Sequence, residues 1–137
     1  MKALVTGGAG FIGGHLIDAL LARGATVRAI DNFATGRREN IARVAGRIEF
    51  IEGDLCDPEA AARAAAGVDA VFHEAAIPSV ARSVVDPVAS DRANVGGTVT
   101  LLQACRAAGV KKLVFAASSS AYGDTEVLPK VETMTPR

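Results

Sequence analysis

The chain has 137 residues, half of them hydrophobic, with no Trp and one Tyr. That is the size of one domain, able to bury about two-thirds of its unfolded surface. Fifteen basic and fifteen acidic residues cancel and no basic run exists to track a phosphate backbone, which argues against nucleic acid and anionic membrane as partners.

Lys2–Thr6 reads as a short buried strand. The turn Gly7-Gly8-Ala9-Gly10-Phe11-Ile12-Gly13 follows, and residues 14–22 run on as a helix. Thr26–Asp31 reads as a second strand, with Gly24 at the C-cap of the helix before it. Residues 47–52 form a third, with Ile48 and Phe50 in period-two alternation. A helix over 58–66 takes Asp57 as N-cap, and residues 69–73 give a fourth strand. A long helix is expected from about Pro87 to Ala108, where Val95, Val99, Leu102 and Cys105 recur near helical spacing and Gly109 marks the end. Residues 112–116 make a fifth strand. From Asp124 to Arg137 the chain holds Pro129 and Pro136, lacks periodicity and reads as loop. Strands alternating with helices mean βαβ units, a parallel sheet and right-handed crossovers. No segment reaches the ~18 apolar residues of a membrane span and no leader is visible, so a soluble, cytoplasmic protein is expected. Cys56 and Cys105 are isolated and read as structural thiols in a reducing compartment, without a metal.

A glycine-rich turn between a strand and a helix suits a dinucleotide pyrophosphate. The glycines let the backbone turn tightly and approach the phosphates, and the helix N-terminus supplies N–H groups and partial positive charge. Gly8-x-Gly10-x-x-Gly13 fits the general fingerprint and Thr6-Gly7-x-x-Gly10-x-x-Gly13 a variant of it. A nucleoside-triphosphate loop is excluded, because Gly14 and His15 stand where it needs Lys and Ser or Thr. Asp31 ends the second strand about twenty residues further on, where a carboxylate binds a ribose 2′-hydroxyl and repels the 2′-phosphate of NADP. Arg37 and Arg38 keep NADP open as the alternative but read more naturally as a solvated helix start. Asp54 either accepts from an adenine amino group or is simply a turn residue.

Thr6 to Gly13, Asp31-Asn32-Phe33-Ala34-Thr35-Gly36, Gly53-Asp54-Leu55 and His73-Glu74-Ala75-Ala76 together resemble the extended short-chain dehydrogenase/reductase family. Within it the chain is similar to the NAD-dependent nucleotide-sugar epimerases and dehydratases, over essentially its whole length. The resemblance implies that Gly7, Gly10, Phe11, Ile12 and Gly13 cradle the pyrophosphate. It gives the adenosine ribose to Asp31, Asn32, Thr35 and Gly36, and the adenine to Asp54 and Leu55. Ala75, Ala76 and Ile77 would line the nicotinamide ribose, with Asn94 on the helix at the active-site side. Gly14 departs from the family's usual Ser, at a cost of about 1 kcal/mol relative to Ala in a helix.

On the substrate side, Ala116-Ala117-Ser118-Ser119-Ser120-Ala121-Tyr122-Gly123 leaves the fifth strand at the carboxyl edge of the sheet, where ligands of such folds bind. Three hydroxyls there could form only a turn. The resemblance instead places Ser118 on the reacting sugar hydroxyl as a catalytic residue, and Ser119 and Ser120 toward the hexose. The stretch from His73 to Val84 is similar to UDP-hexose 4-epimerases acting on UDP-N-acetylglucosamine and its acid. It is less like the UDP-glucose type, which carries Lys at the position of Pro78. Ser79 and Val80 would then face the sugar. Tyr122 does not head the family's catalytic Tyr-x-x-x-Lys, since Glu126 stands four residues on, and that pair occurs nowhere in the chain.

These implications set residues 1–123 as an NAD-binding domain, a doubly wound parallel α/β sheet in the order 3-2-1-4-5. Residues 124–137 would be a loop leading to a catalytic Tyr-Lys pair and a substrate domain outside the chain. The expected activity of the parent protein is NAD-dependent epimerisation of UDP-hexoses at C4 through a 4-keto sugar, in a homodimer. Decarboxylation of UDP-glucuronate and 4,6-dehydration are the chemical alternatives. A non-catalytic NAD-binding module is the alternative of another class.

Overall fold

The computed structural model describes residues 1–136. Five parallel strands, β1 (Lys2–Thr6), β2 (Thr26–Asp31), β3 (Glu49–Glu52), β4 (Ala70–His73) and β5 (Lys112–Phe115), form one sheet in the order β3-β2-β1-β4-β5, as expected. The chain leaves β1 toward β2 and β3 on one side and later crosses to β4 and β5 on the other. The ends of β1 and β4, where Thr6 pairs with His73, are therefore the point at which the winding reverses.

Alternation along the strands sends side chains to two faces. Ala3, Val5, Val27 and Ala29 meet Ile17 and Leu20 of α1 (Phe11–Ala22) and Ile41 of α2 (Arg38–Ala42). Leu4, Ile30 and Val71 meet the alanines of α3 (Pro58–Ala65) and Leu101, Ala104 and Cys105 of α6 (Gly97–Ala107). Both faces are thus covered, the reason such strands read as continuous apolar runs. Arg28 is the exception. Its guanidinium is buried beneath the end of α3, where Nη1 donates to the carbonyls of Arg63 (3.0 Å), Ala64 (2.8 Å) and Ala66 (2.7 Å). Its Nε forms an ion pair with Glu49 at 2.9 Å, off the N–H axis. The guanidinium thereby closes helix carbonyls that would otherwise lack partners.

Several boundaries differ from the sequence expectation. Helix α1 starts at Phe11 because Gly10 already takes the extended N-cap conformation, so the last fingerprint glycine lies inside the helix. β3 lacks its first two expected residues, since the Arg47 N–H closes a turn on the Val44 carbonyl. The long helix is α5 (Pro87–Asp91), a π-helical turn (Arg92–Gly96) and α6 in unbroken succession, capped by the Asp86 carboxylate. Helix α4 (Val80–Val85) was not expected; it buries no residue, and Val80, Val84 and Val85 are all exposed. After a short 3₁₀ turn at Ser119–Tyr122, the described tail has neither helix nor strand. No helix of the described residues is long and apolar enough to cross a membrane.

Candidate cofactor-binding cleft

A cleft of about 330 Å³ opens at the carboxyl ends of the strands, walled by four connecting segments. The first is the β1–α1 turn. Gly7 adopts φ +66°, and a Cβ there would stand 2.9 Å from the Ala75 backbone. At Gly13 a Cβ would lie 2.2 Å from the Gly7 carbonyl oxygen. The close approach of helix to loop therefore requires hydrogen at both positions. Gly10 N–H donates to Gly7 O at 3.0 Å, tightening the turn. Helix α1 begins with no side-chain cap and no acidic residue in its first turn. Its N-terminus thus offers the cleft backbone donors and positive potential, which fits a diphosphate. Phe11 and Ile12 form the exposed rim, at 78% and 62% of their full accessibility.

The second wall follows β2. The Asp31 carboxylate accepts from Phe33 N at 2.7 Å and Ala9 N at 3.0 Å. A carboxylate has about four acceptor sites, so two remain for ribose hydroxyls. Asn32 Oδ1 accepts from Ala34 N at 3.0 Å, and Asn32 and Thr35 lie on the wall. Gly36 does not. It sits behind, where a Cβ would come within 2.7 Å of Ala9 Cβ and 2.9 Å of Asp31 Oδ1. Arg38 pairs twice with Glu52 (2.7 and 3.0 Å), stacks 4.1 Å over the Phe33 ring and does not line the cleft.

Asp54 and Leu55 form the third wall. Asp54 accepts from Cys56 N at 2.9 Å, and that bond is the main cause holding its carboxyl below the usual range. The group is thus ionised at neutral pH and can accept from an amino group.

The fourth wall, residues 74–78 after β4, is set by a chain of side chains across three elements. Thr6 Oγ1 accepts from the N–H groups of Glu74 (3.2 Å) and Ala75 (3.1 Å) and meets His73 Nδ1 at 2.7 Å. His73 Nε2 meets Thr98 Oγ1 at 2.9 Å, and Thr98 gives its proton to the Asn94 carbonyl at 2.6 Å. The bonds close only if Nε2 carries the hydrogen and Nδ1 accepts from Thr6, which assigns the neutral tautomer. Burial lowers the His73 pKa in the same sense. Asn94 reaches no part of the wall itself. Its Oδ1 accepts from Ile77 N at 2.7 Å and its Nδ2 donates to Ile77 O at 3.3 Å, so it fixes the peptide that does.

The cleft therefore collects Gly7, Gly10, Phe11, Ile12, Gly13, Asp31, Asn32, Thr35, Asp54, Leu55, Ala75, Ala76 and Ile77. Gly36 and Asn94 stand one layer back. The expected sugar-side residues lie off this wall. Ser79 caps α4 by accepting from Arg82 N at 3.2 Å, and Val80 is exposed. Ser118 accepts from Ser120 N at 3.1 Å, and Ser118, Ser119 and Ser120 are all solvent-exposed. Asn40 and the Thr6–His73–Thr98 bridge were not singled out from the sequence; their partners lie far along the chain and leave no local pattern. Among the described residues no group of three His, Cys, Asp or Glu could hold a metal ion.

The model of the NAD dependent epimerase/dehydratase family matches residues 3–137. A UDP-glucose 4-epimerase of Mycolicibacterium smegmatis is 43% identical over 98% of this chain and 44% of its own length. A UDP-glucose 4-epimerase from Thermus thermophilus, solved in complex with NAD, is 45% identical with a TM-score of 0.89, over 100% of this chain and 44% of that one. A UDP-N-acetylglucosamine 4-epimerase from Methanobrevibacter ruminantium M1, solved with UDP-N-acetylmuramic acid, is 34% identical with a TM-score of 0.88, over 99% and 44%. The chain spans less than half the length of each.

Proposed function

This chain belongs to the NAD dependent epimerase/dehydratase family, and from that premise we propose that it is the cofactor-binding part of a UDP-sugar 4-epimerase. The observation that carries the reading is the cleft at the winding reversal, whose glycine contacts leave no room for a Cβ at Gly7 or Gly13 and whose second wall ends in Asp31. The likeness to 4-epimerases over the whole chain supports the reaction class.

When bound, NAD supplies a reversible hydride acceptor at the nicotinamide. The turn at Gly7, Gly10 and Gly13 and the first N–H groups of α1 hold its diphosphate. Asp31, Asn32 and Thr35 take the adenosine ribose, with Gly36 keeping Asp31 in place, and Asp54 with Leu55 takes the adenine. Ala75, Ala76 and Ile77 flank the nicotinamide ribose on a backbone fixed by Thr6 and Asn94. Ser118, at the carboxyl end of β5, orients the sugar hydroxyl that loses its proton, and Ser119, Ser120, Ser79 and Val80 border the hexose. With hydride from C4 accepted by and returned from that cofactor, the sugar would be interconverted through a 4-keto form. No Tyr-x-x-x-Lys base lies in the chain, so none of these residues is assigned that proton transfer.

The test expresses the complete reading frame that holds this chain and follows UDP-glucose and UDP-N-acetylglucosamine by NMR. Appearance of the 4-epimers is the expected result. A UDP-pentose formed from UDP-glucuronate with release of carbon dioxide would reassign the protein to decarboxylation. Bound NAD with no turnover of any UDP-sugar would make it a non-catalytic module.

A further inference from the structure

Ala9, between the second and third glycines of the turn, is fully buried, and both polar atoms of its backbone are taken by the end of β2 and the segment after it. Its N–H donates to Asp31 Oδ2 at 3.0 Å. Its carbonyl accepts from Arg37 N at 3.0 Å and from Asn40 Nδ2 at 2.8 Å. Two of these three partners belong to the backbone or to a residue already placed at the ribose. Asn40 is the third, a half-buried side chain on α2 that lies off the cleft wall.

The consequence is geometric. A carbonyl that receives two donors from behind the turn cannot rotate toward the cleft, where it would set a partial negative charge against phosphate oxygens. With Ala9 held, Gly10 takes its extended N-cap conformation and α1 starts with no side chain capping its first donors. We propose that Asn40 is a positioning residue for the pyrophosphate-binding turn, acting through the Ala9 carbonyl without touching the cofactor. The role rests on the cofactor reading above. It also makes the segment from Asp31 to Asn40 serve two parts of one ligand, the ribose through Asp31 and the diphosphate through Asn40.

The test compares ligand fragments on the 137-residue chain. Asn40→Ala and the near-isosteric Asn40→Leu both remove the donor without adding charge. Loss of one net hydrogen bond to the turn should weaken ADP and NAD about tenfold, while adenosine, which has no phosphate, changes less than about twofold. Melting curves of both variants should still show a cooperative transition. Equal weakening of adenosine and ADP would overturn the proposal in favour of a general structural role. Unchanged ADP affinity in either folded variant would overturn it as well, and so would failure of both variants to fold. A folded parent chain that binds neither ADP nor NAD would instead overturn the cofactor reading, and with it the role of Asn40.

Discussion

Replacing Gly13 with Ala should separate the first turn of α1 from the loop beneath it. The added Cβ would stand 2.2 Å from Gly7 O, 2.9 Å from Gly7 C and 3.0 Å from Gly8 Cα, all of them backbone atoms that no rotamer change can move aside. Restoring an ordinary contact needs a displacement of about 1 Å, and overpacking of this kind costs about 1–3 kcal/mol. For a chain of this length each kcal/mol lowers the melting temperature by about 3–5 °C. The same displacement moves the helix donors relative to the diphosphate, and misplacement by 1 Å can cost on the order of 10²-fold at a functional site. Gly10→Ala makes the contrast. There the added Cβ meets only Gly7 O, at 3.1 Å, so stability should stay within about 1 kcal/mol while the methyl group intrudes on the phosphate approach. Thermal melts and calorimetric titration with NAD separate the two effects. A Gly13→Ala chain that melts and binds like the parent would refute the packing argument. A Gly10→Ala chain that binds NAD normally would place the phosphates elsewhere.

Three further outcomes are expected. Burial keeps His73 neutral and its folded pKa below the ordinary value of 6.5, so the unfolded chain binds the proton first. Stability should therefore fall as pH drops below about 6.5, by at most about 1.4 kcal/mol per pH unit, until folded His73 itself titrates; urea midpoints that decline as steeply in His73→Gln would refute this. Arg28→Met strands the carbonyls of Arg63, Ala64 and Ala66. At about 1–3 kcal/mol for a buried unpaired group, a total loss of at least about 2 kcal/mol is expected, and a urea midpoint equal to the parent's would count against it. In the complete protein, Ser118→Ala should lower turnover about 10²-fold or more with NAD content unchanged, and normal turnover would leave the serine as a turn former only.

What the sequence made legible lies where signals are local. The Gly7 to Gly13 turn is readable because the chemistry of close approach demands glycine at fixed offsets between a strand and a helix. Asp31 and Asp54 stand out by their places at strand ends, and the parallel sheet follows from the alternation of elements, while its strand order came with the family resemblance. The second layer was hidden. Thr6, His73 and Thr98 meet from three elements, and nothing in any one of them marks the bond. Asn40 sits in a polar, half-exposed stretch where an asparagine carries no expectation. Arg28 interrupts an apolar strand and could have been noticed as a charge needing partners, but its partners are helix carbonyls with no side-chain signature. Helix α4 escaped because six residues are too few for the spacing of Val80, Val84 and Val85 to mark a helix. The hydroxyls at Ser79 and Ser118 cap local turns, so their sequence signal serves the turn as well as the sugar.

The most direct measurement is a calorimetric titration of the folded 137-residue chain with NAD and, in parallel, NADP. Two-point attachment of Asp31 to Phe33 and Ala9 leaves its carboxylate rigid beside the ribose position. The expected result is one NAD per chain, with NADP weaker by about tenfold or more, the equivalent of about 1.4 kcal/mol. A folded chain that takes up no NAD, or that binds NADP equally well, would contradict the assignment of the cleft.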